Sequence, residues 1–181
     1  MKPILLLQHP QSSSSIARPW VRFRREGEVL RMTFRIPGDT SEIALPATIK
    51  PDVKQNADLR ADGLWERTCF EVFLRPSNGP SYVEFNFSPS GEWAAYSFDG
   101  YRSGMRNADV DTPAIVSTDW NNRFELSARI ALPKWARNQW AANFSAVIDG
   151  RDGTKSYWAL AHPAGAPDFH DPSCFVARLP E

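Results

Sequence analysis

Strict alternation of apolar and polar residues in two stretches, residues 29–36 and 123–132, constrains the fold of this chain more than any other feature. Successive side chains of a β-strand point to opposite faces, so a period of two is typical of a strand that is buried on one side. A helix would need its apolar residues three or four positions apart. The pattern therefore predicts two strands with these core-facing residues: Leu30, Met32, Phe34, Ile36, Phe124, Leu126, Ile130 and Leu132.

The rest of the chain favours short strands joined by turns. Seven Trp, eleven Phe and four Tyr stand among fifteen Pro and ten Gly, a composition that suits strands better than helices. The single hint of a helix is one turn at residues 133–136, where Pro133 would occupy the first helical position. We predict an all-β fold, an antiparallel β-sandwich of two sheets with little helix, with further strands near residues 21–24, 42–45, 69–74, 82–88, 93–98, 114–117, 143–149, 156–161 and 174–179.

Length and charge limit the classes of function. The 181 residues fit one domain, residues 1–181, which buries roughly 70% of its unfolded surface, with residues 1–15 either flexible or forming an added edge strand. The 21 basic and 21 acidic residues cancel, which disfavours nucleic acid and an acidic membrane as partners.

The N-terminus and the two cysteines indicate the compartment. Residues 4–7 are too short an apolar run for a secretory signal, and no run approaches the ~20 apolar residues of a membrane-spanning helix. Cys69 and Cys174 fall far short of a disulfide framework, so we expect two free thiols. These features favour a reducing cytoplasm, and we expect a bacterial protein.

A candidate binding surface lies on a hairpin formed by residues 69–74 and 82–88, which are joined through an Asn78-Gly79 turn. Alternation puts one apolar set on the core side: Phe70, Val72, Leu74, Val83, Phe85 and Phe87. The opposite face mixes aromatic, carboxylate, amide and hydroxyl groups: Cys69, Glu71, Phe73, Tyr82, Glu84, Asn86 and Ser88. Sugar recognition needs this mixture, because apolar C–H faces rest on rings while hydroxyls bond to polar groups.

The segments around this hairpin carry a resemblance to a known group of proteins. From about residue 15 onward the chain is similar to the DOMON-like superfamily, which includes the family 9 carbohydrate-binding modules. Residues 65–91 and 169–179 are the specific parts, and the matching segments read WERTCFEVFL from Trp65, YVEFNFSPSG from Tyr82, Tyr101-Arg102, and FHDPSCF from Phe169.

The resemblance implies particular site residues. In the sugar-binding members a Trp and a Glu six positions later line the pocket, as Trp65 and Glu71 would here, and an Arg farther along, Arg102 here, also bonds the sugar. Each has a plainer interpretation. Trp65 at the start of a strand could pack at the rim of the core, and Arg102 could be the structural partner of a buried Glu71.

A second aromatic plate near the C-terminus is also implied, with Trp158 and Phe169 both open as candidates. The acidic residues that usually follow the Trp by two and three positions are Arg67 and Thr68 here, a departure that disfavours a calcium-stabilised site.

Four more residues complete the candidate set. Glu84 and Asn86 share the polar face with Glu71 or else face solvent as ordinary strand residues, while Tyr101 and His170 lie in loops.

We therefore expect non-catalytic binding of a small polar ligand, a saccharide or sugar derivative first, with no cofactor and no metal. A protein-interaction domain without a small ligand is the main alternative, and a protein partner is compatible with either reading. A glycoside hydrolase would use Glu71 and Glu84 as its carboxylate pair, and a haem module would need Met32 or Met105 with a His. A metal site would draw on these residues of a Pro-rich loop: His162, Asp168, His170 and Asp171.

Overall fold

Two antiparallel sheets pack face to face in the computed structural model, which describes residues 2–47, 59–77, 79–120, 122–133 and 139–179. These ranges contain no α-helix, and the 3-10 turns that lie wholly within them are Leu64–Glu66 and Pro172–Cys174. The strands are β1 (Ile4–Leu5), β2 (Leu7–Gln8), β3 (Trp20–Glu26), β4 (Val29–Pro37), β5 (Cys69–Pro76), β6 (Tyr82–Phe87), β7 (Trp93–Phe98), β8 (Arg106–Asn107), β9 (Ala114–Trp120), β10 (Arg123–Ala131), β11 (Trp140–Asp149), β12 (Lys155–Ala159) and β13 (Ala177–Leu179).

The small sheet has the strand order β1-β3-β4-β10-β9, and the large sheet has the order β2-β12-β11-β5-β6-β7-β8 with β13 also paired to β11. The N-terminal segment contributes an edge strand to each sheet, because β1 pairs with β3 and β2 pairs with β12. Residues 4–8 therefore cross from one sheet to the other. The all-β, two-sheet antiparallel fold predicted from the sequence is confirmed.

The core lies between the sheets, where alternation predicted it. All fourteen core residues expected from the two alternating stretches and the hairpin are buried in one apolar cluster. Phe70 of the large sheet lies at its centre, with its ring stacked 5.5 Å from Phe124 and tilted 5.2 Å from Phe34 across the sandwich. Register between β5 and β6 pairs Phe70 with Phe87 and Val72 with Phe85, which confirms the hairpin and its core face.

The central strands of the large sheet are buried on both faces, unlike those of the small sheet. β6 and β11 are buried along their whole length, whereas β4 and β10 alternate between buried and more exposed residues. A second apolar cluster covers the outer face of the large sheet and includes Phe73, Tyr82, Tyr96, Phe98 and Phe169. Connecting segments thus roof over one side of this sheet.

Two of the predicted strands are wrong in whole or in part. Residues 42–45 form a turn with a single bridge from Ile43 to Gly150, because the Ile43 N–H bonds back to Thr40 O. The segment 174–179 begins as a 3-10 turn, since Pro172 opens it and the Asp171 side chain accepts from the Ser173 N–H; only β13 is extended. Of the helical turn predicted at 133–136, residues 134–136 lie outside the described part of the chain. No helix in that part is long and apolar enough to span a membrane.

Cys69 and Cys174 are both free and buried. Burial raises the pKa of the Cys69 thiol well above its usual value, and the Glu71 charge raises it further. We expect a thiol-specific reagent to react slowly with the native protein and to titrate two thiols after denaturation without reductant. Failure to find any thiol in the denatured protein would show that a disulfide had formed.

Candidate functional site

A cavity of about 430 Å³ opens on the outer face of the large sheet, the face turned away from the small sheet. Five aromatic rings contribute to its wall: Trp65, Phe73, Phe98, Tyr157 and Phe169. The hydrogen-bonding groups that line it are Glu66, Glu71, Glu84, Arg102, Lys155 and His170. Rings and polar groups therefore converge on one concavity, and its volume falls within the usual range of small-molecule sites.

Two buried carboxylates form part of the cavity floor. Register places Glu71 on β5 opposite Asn86 of β6, and Glu84 of β6 opposite Phe73, so the two acids are diagonal neighbours on one face. Ser145 Oγ donates to Glu71 Oε2 at 3.2 Å, and Asn86 Nδ2 donates to Glu84 Oε1 at 2.7 Å. Glu71 and Glu84 are only 3% and 5% exposed, so both depend on these neutral partners.

Burial keeps a proton on this pair near neutral pH. It raises the pKa of Glu84 to about 7, against the hydrogen bond from Asn86 that lowers it. Burial also raises the pKa of Glu71 well above its ordinary value, and the nearby Glu84 charge adds to the effect. Two close carboxylates in a low-dielectric site resist double ionisation, so the floor offers both a donor and acceptors for hydrogen bonds.

Arg102 enters the cavity wall from a tight turn after β7 and has a left-handed backbone (φ 50°). Its Nη2 donates to Asp168 Oδ1 at 2.8 Å, and the Tyr101 hydroxyl donates to the other oxygen of the same carboxylate. Burial alone would raise the pKa of Asp168, but the hydrogen bonds from Arg102 and Tyr101 lower it below its ordinary value. The ionised Asp168 thus fixes the direction of the guanidinium.

His170 connects the roof of the cavity to its floor. Its Nδ1 lies 2.7 Å from the Tyr82 hydroxyl, which also accepts from the Arg102 N–H at 3.3 Å. Burial and the Arg102 charge lower the pKa of His170 to about 4, so the ring is neutral at physiological pH. The Nε2 atom of His170 lies 3.8 Å from Glu84 Oε2. Because the imidazole is uncharged at physiological pH, this contact is not an ion pair there.

Trp65 stands at the mouth of the cavity, 39% exposed, with its ring edge-on to Tyr96 at 5.8 Å. Trp65 lies in the 3-10 turn just before β5, and its side chain remains partly open to solvent. The predicted convergence of Trp65, Glu71 and Arg102 on one cavity is what the structure contains.

The prediction that Trp158 is a candidate for the second aromatic plate of the site is wrong. Trp158 is 3% exposed and packs in the core between the sheets, where its Nε1–H donates to Ser156 Oγ at 2.9 Å. Side chains alternate along β12, so the preceding residue, Tyr157, faces the cavity instead. Phe169, the other C-terminal candidate, lies in the wall as expected.

Two other predicted site residues, Asn86 and Tyr101, do not line the cavity but hydrogen-bond residues that line or support it. Asn86 is fully buried and holds Glu84 through its amide. Tyr101 is 54% exposed and holds Asp168 from the solvent side.

Several wall residues were missed, and strand register could have found some of them. Phe98 pairs with Tyr82, and Val147 lies between Cys69 and Tyr157, so both share the polar face of the hairpin. Lys155, Met105 and Pro167 have no comparable signal in the sequence. Lys155 is held by a 2.8 Å bond from Nζ to the Glu66 carbonyl.

The Pro-rich loop does not bring its acidic and imidazole groups together. Within the described residues no group of three or more His, Cys, Asp or Glu side chains is placed to hold a metal ion. His162 bonds through Nε2 to the Leu7 carbonyl, Asp171 caps the second 3-10 turn, and Asp168 holds Arg102. Each of these side chains has a structural role of its own.

Comparison with protein-family models and with curated proteins finds no match. Solved structures do match. A protein of Bacteroides uniformis for which carbohydrate binding is proposed has 13% identity and a TM-score of 0.62, over 98% of this chain and 84% of that one. A family 9 carbohydrate-binding module from Caldicellulosiruptor kristjanssonii in complex with cellotriose has 9% identity and a TM-score of 0.55, over 91% and 74% of the two chains.

The module from the same organism in complex with glucose has 11% identity and a TM-score of 0.53, over 94% of this chain and 78% of that one. The fold of this chain is therefore similar to that of the family 9 carbohydrate-binding modules, which confirms the predicted similarity to those modules at the level of the fold.

Proposed function

We propose that the cavity on the large sheet binds a saccharide or sugar derivative without converting it. The observation that carries the proposal is the convergence of an open Trp65 ring with recessed, hydrogen-bonding Glu71, Glu84 and Arg102 in one cavity. A sugar presents apolar C–H faces and a rim of hydroxyls. The rings match the first, and the polar groups match the second.

The protonation of the floor suits an uncharged, hydroxyl-rich ligand. Because Glu71 and Glu84 retain a proton near neutral pH, they can accept from some sugar hydroxyls and donate to others. The Arg102 guanidinium is already paired with Asp168, so its remaining N–H groups can bind a hydroxyl without needing an anion. Solved structures of similar fold that hold cellotriose and glucose support the same class of ligand.

Binding is favoured over hydrolysis by the placement of the two acids. Glycoside hydrolases place their carboxylates on either side of the scissile bond, with a separation of about 5 to 9.5 Å. Glu71 and Glu84 project from adjacent strands of one floor and would both lie beneath the same side of a bound ring. Neither therefore faces the other across a substrate.

Trp65→Ala is expected to weaken saccharide binding by about 1–3 kcal/mol through lost stacking area. Folding should remain intact, because a ring that is 39% exposed at the cavity mouth contributes little to the core. A thermal-shift screen of mono- and disaccharides, muropeptide fragments and haem identifies the ligand, and isothermal titration then compares the variant with wild type.

Trp120→Ala is the matched control, since Trp120 is 67% exposed on the other sheet and should leave saccharide affinity unchanged. Two results oppose the proposal. A screen without any saccharide hit would remove it, as would a Trp65→Ala loss of about 3–5 kcal/mol in unfolding free energy, which would identify Trp65 as a packing residue.

A further inference from the structure

The outer face of the small sheet, on the side of the molecule opposite the cavity, carries an unusual concentration of arginine. Register places its polar positions in rows that run across β3, β4 and β10. Six arginines lie on this face with two glutamates, Glu26 and Glu125, so the face carries a net charge of +4 although the whole chain is neutral. The arginines are Arg22, Arg24, Arg31, Arg35, Arg123 and Arg129.

One row consists of three arginines in direct register. Arg24 pairs with Arg31, and Arg31 pairs with Arg129, on three neighbouring strands about 4.8 Å apart. Arg24 and Arg31 share one acidic neighbour, Glu26, and their side chains remain 74% and 54% exposed. Like charges directly opposite each other destabilise a sheet, so this row opposes folding stability unless an anion covers it.

The other rows set the geometry of the surface. Arg22 lies opposite Thr33, whose hydroxyl is hydrogen-bonded to Ser127 at 2.9 Å, so the middle of the face is flat and polar. Arg35 is held over the Trp20 ring at 4.7 Å and is also paired with Glu125. Arg35 is therefore already neutralised. Glu26 offsets one of the two charges of Arg24 and Arg31, and the remaining charge of this pair faces solvent together with Arg22 and Arg129.

An open aromatic ring lies on the same face as the arginine row, six residues or about 20 Å away from it along β10. Trp120, at the last position of β9, pairs with Arg123 and is 67% exposed. Proteins that bind single-stranded nucleic acid combine a positively charged track for the phosphates with exposed rings on which bases stack. Guanidinium groups suit phosphate oxygens because their planar forks form bidentate hydrogen bonds.

We propose that this arginine face, defined by Arg22, Arg24, Arg31, Arg129 and Trp120, binds single-stranded nucleic acid. The arginines contact phosphates and Trp120 stacks on a base, so binding is expected to tolerate many sequences. The site is independent of the saccharide cavity, because it lies on the other sheet. Zero net charge disfavoured nucleic acid only on average over the chain, and the sheet register sorts the charges onto one face.

The test uses the full chain and a fluorescently labelled oligo-dT, with binding followed by anisotropy at several salt concentrations. About four phosphate contacts predict a slope of log affinity against log salt concentration of about −3. Reversing two charges in the arginine row, Arg24→Glu with Arg129→Glu, should weaken binding at least tenfold. Trp120→Ala should weaken it about tenfold through lost stacking.

Control variants test whether a loss of oligonucleotide binding is specific to the arginine face. Arg67→Glu with Arg178→Glu makes the same change in net charge at exposed positions away from the small sheet and should leave affinity nearly unchanged. Trp65→Ala should also have no effect. Thermal melting of each variant shows whether it folds.

Three results would overturn the proposal. The first is an absence of oligonucleotide binding at low salt, and the second is equal weakening by the row and control variants. The third is binding of polyglutamate, heparin or phosphatidylserine vesicles in the absence of oligonucleotide binding, which would assign a different occupant to the face.

Discussion

Glu84→Gln is expected to stabilise the folded protein relative to wild type as the pH rises from about 5 to about 8, by about 3 kcal/mol across that interval. The pKa of Glu84 is about 7 in the folded protein because the carboxyl is buried, against an ordinary value of 4.5. Between these values the folded state holds a proton that the unfolded state has released, so wild-type stability falls as the pH rises through this window. Glutamine does not titrate, and its amide oxygen can still accept from Asn86.

Urea unfolding of both proteins at a series of pH values measures the effect as a difference. The difference is needed because His170 acts in the opposite direction: burial lowers its pKa to about 4, so its contribution is lost as the pH falls. Glu28→Gln is the control, since this exposed glutamate is in water in both states. A wild-type-minus-variant difference that stays flat with pH would show that Glu84 is not a buried, proton-holding group.

Phe70→Ala is expected to cost about 3–5 kcal/mol of unfolding free energy, the range for truncating a large buried aromatic side chain. Phe70 is fully buried, and its ring contacts Phe34 and Phe124 of the opposite sheet, so its loss leaves a cavity that neither sheet can fill by itself. Val116→Ala, at a 40% exposed position on the outer face of the small sheet, should cost less than about 1 kcal/mol.

Chemical denaturation followed by tryptophan fluorescence compares the two variants. Similar small losses for both would mean that the sheets do not share a tightly packed core around Phe70, and the two-layer arrangement would need revision.

The strands that could be predicted from the sequence are those with one face in the core and the other in solvent. β4 and β10 alternate because solvent touches one side of the small sheet, and this alternation identified Phe34 and Phe124 as core. The hairpin of β5 and β6 could also be assigned, since its two faces differ in chemistry. The family-like spacing from Trp65 to Glu71 then located the cavity.

In strands that are covered on both faces, the sequence pattern does not show which residues face which side. β12 reads Lys-Ser-Tyr-Trp-Ala, with adjacent rings and no alternation in polarity, so only pairing with β11 decides that Tyr157 rather than Trp158 faces the cavity. The ion pair between Arg102 and Asp168 joins residues that are 66 positions apart in the sequence. No local pattern predicts such a contact.

The arginine row was visible only as separate polar residues. Its meaning depends on three strands whose register aligns Arg24, Arg31 and Arg129, and β10 is far from β3 and β4 in the sequence. A count of charges over the whole chain could not reveal it.

A ¹H–¹⁵N NMR titration with a panel of mono- and oligosaccharides, glucose and cellotriose among them, shows whether a saccharide occupies the cavity of the large sheet. We expect at least one saccharide to shift the Trp65 indole N–H and the backbone amides around Glu71 and Arg102, while the Trp120 indole N–H on the other sheet stays in place. Spectra that remain unchanged for every saccharide, or shifts confined to the small sheet, would contradict the account.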